Sequence, residues 1–490
     1  MRMNYKNIIK KYRYLPVSVK AAMWFLACSF LQKSISVITT PVFTRILNTQ
    51  EYGQYNVFHS WMNLITIIVT LNLSHGVYAQ GIIKFEEHKN VFSSSLQGLT
   101  IFLILVWSGF YLIFHEFWNR IFSLTTIQMM AMLIMIWMSA VYSFWATEQR
   151  SELKYKTLVF VTLMSSVFKI ILSLFFISVM QDSVTARILG MVFGELLFFA
   201  WMFFVQIYRG KRVFSRFYWR YSITFCIPLI PHYLSQAILN SADRIMIEKM
   251  VNTSAAGIYG LAYSISQIMS IFNLALQHTM EPWIYRRIKE NKVNSIAELS
   301  YILFIIIGIV NLVLMILAPE AVKVFAPEPY YSAIWVIPPV AMSVFFQFLY
   351  SIFACFEFYY EKTAYITVAT LGSGVLNILL NAIMIPRFGF IAAGYTTLIS
   401  YIFYTLFHYC IMEKIIKNNM KLVNEFDTKK ILFITVIFMA SGFMIQIFYF
   451  CTWIRLGIFG IIWIVVFAKY KKIIKYFRNC RVNSSDWKLF

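Results

Sequence analysis

The stretch Leu31–Tyr55, LQKSISVITTPVFTRILNTQEYGQY, has a counterpart downstream in Ser235–Tyr259, SQAILNSADRIMIEKMVNTSAAGIY. Set against each other without a gap, Gln32 meets Gln236, Ser36 meets Asn240 and Arg45 meets Lys249. Asn48-Thr49 meets Asn252-Thr253, Gly53 meets Gly257 and Tyr55 meets Tyr259. The same register carries on, with His59, Ser60, Asn63, Thr66 and Ser74 facing Tyr263, Ser264, Gln267, Ser270 and His278. Lys33 has no such partner, since it meets Ala237. It also lies about twelve residues into an apolar segment, roughly 18 Å deep at ~1.5 Å per residue, where a charge is costly unless it meets water, a partner or a ligand.

Of the 490 residues, 60% are hydrophobic, 18% aromatic and only 13% charged, too few charges for a soluble surface. Apolar runs of about twenty residues recur almost to the end, which describes an all-α polytopic membrane protein. About fourteen spans are expected, near 21–43, 56–80, 95–115, 124–146, 157–179, 186–208, 222–242, 257–280, 298–318, 332–356, 364–385, 390–412, 430–450 and 453–468. With the amino terminus inside, most of the 43 Lys+Arg fall in cytoplasmic segments. Outside loops keep Arg45, Arg120, Arg187, Arg244, Lys249, Lys323, Arg387 and Arg455, and Lys33 and Lys169 stay within spans. Both termini are then cytoplasmic, and the +22 net charge faces the anionic inner leaflet and not a nucleic acid.

Six spans separate the two copies, so both cross in the same direction, as in two parallel six-helix lobes related by an axis along the membrane normal. The organisation that follows has a basic amino-terminal segment at 1–20, a first lobe at 21–208 and a basic linker at 209–221. A second lobe at 222–413, two extra carboxy-terminal helices at 430–468 and a basic tail at 469–490 complete it.

Each lobe carries polar stripes on its first two helices. Asn56, Ser60, Asn63, Thr66, Thr70 and Ser74 recur at helical spacing, as do Tyr259, Tyr263, Gln267, Ser270 and Gln277. Gln32, Ser36 and Thr39/Thr40 on one first helix match His232, Gln236, Asn240 and Asp243 on the other. Interhelical hydrogen bonding accounts for some of this. Stripes in equivalent places of both halves point to a shared aqueous cavity. Lys169 and Glu195 lie at similar depth on neighbouring antiparallel spans and read as an intramembrane ion pair, with Lys33 as a rival for Glu195. Asp243 and Arg244 are adjacent near an outer helix end, and Asp243 continues the polar stripe. Pro41 and the pair Pro228/Pro231 interrupt the first helix of each half.

No GxxxxGK[ST], HExxH or DxD motif is present, and no external segment is long enough for a catalytic loop, so neither enzyme chemistry nor a cofactor is expected. The six cysteines are scattered with no CxxC, which argues against disulfides and a metal site.

PVFTRILNTQEYGQYNVF (Pro41–Phe58) resembles the start of bacterial polysaccharide flippases of the Wzx type. LNSADRIMIEKMVNTSAAGIYGLAYSISQI (Leu239–Ile268), PWIYRR (Pro282–Arg287) and LNILLNAIMIPRFGFIAAGYTTLISY (Leu376–Tyr401) are similar to the same family. The resemblance implies a plasma-membrane exporter of the MATE-like superfamily, with two lobes opening to one side at a time. The implied substrate is a polyprenyl-diphosphate-linked oligosaccharide moved from the inner to the outer leaflet, with membrane lipids, a polysaccharide polymerase and chain-length machinery as implied partners. A lone cation in a polar cavity suits that anionic lipid, and amide and hydroxyl stripes suit its sugars. The candidate cavity residues are Lys33, Gln32, Ser36, Arg45, Asn63, Gln236, Asn240, Asp243, Arg244 and Gln267, with Lys33 on the diphosphate and Arg45 and Arg244 near the outer gate. A multidrug antiporter is the alternative, and it would need a carboxylate where the first helix offers Lys33. A membrane-embedded glycosyltransferase or polymerase is the third reading.

Overall fold

The computed structural model describes residues 16–421, 425–464, 467 and 468. The described residues hold helices and no strand. The basic segment before residue 16 and the basic tail after 468 lie outside them.

The principal helices are α1 Val17–Ile46, α2 Thr49–Thr70, α3 Lys89–Ile113, α4 Thr126–Ser151, α5 Tyr155–Val179 and α6 Ser183–Gly210. Then come α7 Ile230–Met250, α8 Thr253–Lys289, α9 Val293–Ile316, α10 Ile337–Tyr359, α11 Thr363–Phe388 and α12 Ile391–Ile415. Last are α13 Thr428–Ile447 and α14 Thr452–Ile464. Among the described residues, eleven segments are long and apolar enough to cross a membrane. The three others among the expected fourteen are α2 and α12, which fall short in hydropathy, and α14, which is short.

Local chemistry sets the helix starts. Asn48 caps α2, its side chain accepting from the Glu51 backbone while the Glu51 carboxylate accepts from the Asn48 N–H, both at 2.9 Å. Asn252 caps α8 in the same way through the Ala255 N–H at 2.8 Å. These caps start α2 and α8 several residues before the apolar runs expected at 56 and 257, because a helix extends past its apolar stretch to its capping residue. The matched Asn residues of the internal repeat are therefore matched N-caps. The prolines act unequally: Pro41 sits within continuous α1, whereas Pro228 falls in a 3-10 turn, Ile227–Leu229, that separates Arg216–Cys226 from α7.

Packing repeats with a six-helix offset. In the first half α5 lies on α6, α4 on α6, α1 on α5 and α2 on α4; in the second α11 lies on α12, α10 on α12, α7 on α11 and α8 on α10. Equivalent helices even share a buried polar contact. Gln206 of α6 donates to Glu148 of α4 at 3.0 Å, while His408 of α12 and Glu357 of α10 meet at 2.5 Å, both fully buried. Helix α13 leans on α9 and α10, outside the repeated pattern.

The halves meet where α2 crosses α8. A Cβ on Gly53 would stand 1.9 Å from the Thr253 carbonyl oxygen, and one on Gly257 would stand 2.2 Å from the Thr49 carbonyl oxygen. Thr49 and Thr253, like Gly53 and Gly257, are repeat partners, so the contact is self-complementary across a pseudo-two-fold axis. Asn56 then packs on its own repeat partner, Gly260. Two backbones in contact leave no room for a methyl group, and the atoms it would strike belong to the main chain and cannot swing away.

Gly53→Ala is expected to destabilise the protein by at least ~2 kcal/mol. Gly109→Ala, on α3 with nothing within 4 Å of its added methyl, should be neutral or stabilise by up to about 1 kcal/mol. Thermal unfolding in detergent measures both, and a harmless Gly53→Ala would remove the crossing from its place in the fold.

Candidate functional site

Past the α2–α8 crossing, the end of the molecule carrying the α1–α2 and α7–α8 connections is held shut by paired contacts. Arg45 at the end of α1 reaches into the other half, donating to the Val324 carbonyl at 2.9 Å, with Thr44 on Phe325 at 2.5 Å and Tyr330 on Leu47 at 3.1 Å. Lys249, its repeat partner at the end of α7, donates to Ser123 of the first half at 2.6 Å. Each first helix thus grips the connection between the third and fourth helices of the opposite half, Ala318–Phe325 in one case and His115–Phe122 with Ser123 in the other. Nearer the middle, Asn63 donates to Ser241 across the halves at 3.2 Å.

A cavity of about 400 Å³ opens mainly among α1, α2, α5 and α6 of the first half, with Ser264 of α8 also in its lining. Hydroxyls and amides line it, including Gln32, Ser36, Thr39, Ser166 and Asn56. Its charged lining is cationic, Lys169 and Arg187, and no carboxylate is among the lining residues. Lys169 Nζ donates to Glu195 Oε1 at 3.2 Å, with Glu195 buried behind it. Gly194 permits this, because its missing side chain lets α6 approach the Lys169 backbone and stem; a Cβ there would lie 2.6 Å from Lys169 Cγ. Arg187 is only 7% exposed, and its guanidinium lies 3.3 Å from the Tyr55 ring centroid and 3.8 Å from that of Phe43. Asp182 caps α6, which places Arg187 one turn inside the helix and not in a loop. The expectation that Arg187 belongs to an outside loop is corrected on that ground.

The equivalent place in the second half carries an acid. Asp243, the repeat partner of Thr39, is buried and accepts from Tyr259 at 2.6 Å, Asn381 at 2.7 Å and Thr397 at 2.6 Å. Asn381 also donates to Asn377 at 3.2 Å and accepts from Thr396. Asn377 and Thr397, on α11 and α12, meet at 3.4 Å where the first half has Lys169 and Glu195 on α5 and α6. Tyr55 and Tyr259 are repeat partners with opposite duties, one stacking on a cation and the other donating to an anion.

Residues 18–287 match the family described as "Polysaccharide biosynthesis protein", more than half of the chain. The chain belongs to the polysaccharide biosynthesis protein family. A curated relative, Lsg locus putative protein 1 of Haemophilus influenzae, is 22% identical over 388 residues, covering 73% of this chain and 89% of that protein. The fold is similar to that of the lipid II flippase MurJ in an inward closed conformation, with a TM-score of 0.67, 14% identity, and 92% of this chain and 100% of that chain covered. It is also similar to an inward-facing multidrug resistance MATE family transporter of the MOP superfamily, with a TM-score of 0.61, 11% identity, and 79% of this chain and 96% of that chain covered. This member of the polysaccharide biosynthesis protein family is thus a multi-pass membrane protein with the fold of the MOP transporters.

In this family member the residues singled out from sequence divide into three groups. Gln32 and Ser36 line the first-half cavity. Lys33 reaches across from α1 to α8, while Gln236, Asn240 and Arg244 lie on α7 and Gln267 on α8. Lys33 is exposed and reaches Ser270 of α8 at 3.4 Å, beside the joint at Gln267 where α8 changes from Thr253–Ser266 to Ile268–Lys289. Gln236 is exposed on α7, and Asn240 accepts from Tyr263 and Tyr401, both at 3.3 Å. Arg244 stacks on Tyr263 at 4.4 Å and donates to the Asn240 carbonyl. Arg45, Asn63 and Asp243 are engaged in the contacts described above. Glu195 pairs with Lys169 and not with Lys33. Sequence reading passed over Asn377, Asn381 and Thr397, although Asn377 and Asn381 stand one helical turn apart within a stretch quoted only for its resemblance. It also passed over His408 and Glu357, although Tyr401, Tyr404 and Thr405 mark the same polar face of α12.

Asp243→Ala leaves three donors unsatisfied and is expected to cost roughly 3 kcal/mol or more, whereas the isosteric Asp243→Asn should cost about half as much. Melting temperatures of the purified variants test the ranking, and equal losses would contradict it.

Proposed function

We propose that this protein moves a polyprenyl-diphosphate-linked oligosaccharide from the inner to the outer leaflet of a bacterial plasma membrane by alternating access, with both termini cytoplasmic. The observation that carries the reading is the balance of charge around the space between the lobes. Lys33 is exposed where α1 meets α8, with no carboxylate paired to it among the described residues, while the neighbouring acids are occupied, Glu195 by Lys169 and Asp243 by three neutral donors. A cation extruder needs an available acid to exchange protons or sodium for its cargo; a lipid diphosphate needs an available base. Exposed Gln32, Gln236 and Asn240 offer amides suited to sugar hydroxyls.

The closed end, gripped by Arg45 and Lys249, is then the outer gate, and the substrate enters from the side on which Lys33 and Gln32 are exposed. Exchange between states requires those grips to break while the α2–α8 crossing persists as a fulcrum. Family membership supports the saccharide cargo. A polysaccharide polymerase and chain-length machinery are the partners such an exporter would feed. A MATE-type antiporter remains the second reading, because Asp243 is a buried acid among polar groups. It predicts that Asp243→Asn abolishes drug efflux and leaves polysaccharide export untouched.

Complementation of a flippase-null strain decides between them. Surface polysaccharide should be restored by the wild-type gene and reduced at least tenfold by Lys33→Ala. Full export in Lys33→Ala would end that residue's role, and a wild-type gene that restores drug tolerance but no polysaccharide would end the flippase reading.

A further inference from the structure

The buried guanidinium of Arg187 has no role in the transport path drawn above. It is more than nine-tenths buried, forms no ion pair with a carboxylate among the described residues, and its Nη1 has no hydrogen-bond partner. A guanidinium taken out of water without a counter-charge is among the costlier burials a helix bundle can hold. Stacking on Tyr55 and Phe43 offsets part of that cost through the ring faces. Stacking leaves the edge of the plane free, and that edge carries the N–H groups. Those donors form a fork matched to two oxygens of a phosphate or carboxylate.

The surroundings complete the case for an anion. Arg187 lines the first-lobe cavity together with Lys169, and the hydroxyls of Ser36 and Ser166 share the same walls. Lys169 and Arg187 against Glu195 leave one positive charge in excess. The mouth of the cavity carries exposed Gln32 and Ser36, so a ligand has a way in. Comparison between the lobes gives the sign independently. In the second lobe the equivalent place is taken by an acidic side chain, Asp243, whose carboxyl oxygens accept from Tyr259, Asn381 and Thr397. In the first lobe the same construction has a hydroxyl, Thr39, at the Asp243 position, two cations, and open volume. What the second lobe holds as a side chain, the first lobe would take as a ligand.

We infer that the first-lobe cavity is a binding site for a phosphate-bearing anion, with Arg187 as the in-plane fork and Lys169 as the second charge. The inference rests on the flippase reading only for the identity of the natural ligand, a lipid diphosphate. The chemistry is shared by a free diphosphate anion. Seated there, the anion removes the unpaired guanidinium and gives the transport cycle a station inside the first lobe, distinct from Lys33 between the lobes. Arg187 is therefore a binding residue that hydropathy concealed by placing it at a span boundary.

The test uses purified full-length protein in nanodiscs, probed separately with inorganic pyrophosphate and with a polyprenyl diphosphate, reading affinity and thermal protection. Wild type should bind at least one. Arg187→Lys, which keeps the charge but loses the fork, should bind at least ~10-fold more weakly. Ser36→Asp, which places a carboxylate at the cavity mouth without disturbing the buried stack, should bind as weakly or worse. Protection by pyrophosphate means that the anion alone suffices; protection by the lipid alone means that the head group is read together with its chain. Either supports the site. If wild type binds neither probe, or if both variants bind like wild type while running as folded monodisperse protein, the proposal is overturned and Arg187 is a packing residue. Pyrophosphate binding that depends on Arg187, in a protein that fails the export assay, would keep the anion site and discard the flippase reading.

Discussion

The crossing of α2 and α8 at Gly53 and Gly257 is the constraint on which the architecture turns. Between helices in a lipid environment the hydrophobic effect supplies little drive, so association depends on close packing and on hydrogen bonds between helices. Glycine on both sides brings the main chains together, and the capping residues Asn48 and Asn252 begin each helix just before the contact. Since each glycine meets the carbonyl of the other copy's threonine, the repeat has an axis and not merely a resemblance. The grips of Arg45 and Lys249 lie within one or two helical turns of that point.

A symmetric scaffold is used for opposite electrostatics. Tyr55 and Tyr259 occupy equivalent places, yet one presents its ring face to a guanidinium and the other its hydroxyl to a carboxylate. The ring face is electron-rich and the hydroxyl is a donor, so one residue type serves either sign. The α5–α6 pair of the first lobe is joined by the ion pair Lys169–Glu195, and the equivalent α11–α12 pair of the second by a neutral hydrogen bond, Asn377–Thr397. Gln206–Glu148 joins α6 to α4, and His408–Glu357 joins the equivalent α12 and α10. The halves share where their polar contacts fall and differ in what those contacts can hold.

The spans were legible because twenty apolar residues in a row have few alternatives, and the ends were less so. Helices stop at caps, not where hydropathy falls, so Asn48, Asn252 and Asp182 moved boundaries that an apolar count had set. Arg187 shows the consequence: read as a loop cation, it is a buried one, because Asp182 starts α6 before it. Lys33 drew attention for its depth, a property of one segment. Arg187 matters for its neighbours, Tyr55 and Phe43, which lie far from it in sequence.

Apolar run length, the charge distribution and the paired stretches Leu31–Tyr55 and Ser235–Tyr259 determined by themselves that this chain is a helical membrane protein built from two like-oriented halves. Those are properties of composition and order along the chain, and no contact between helices enters them. Tertiary structure alone decided which charges stand free. Whether Glu195 takes Lys169 or Lys33, whether Asp243 is open or satisfied, and whether Arg187 has a partner depend on how helices distant in sequence pack and rotate against one another. The sign and volume of a cavity are sums over side chains from several helices, so no single stretch of the chain carries them.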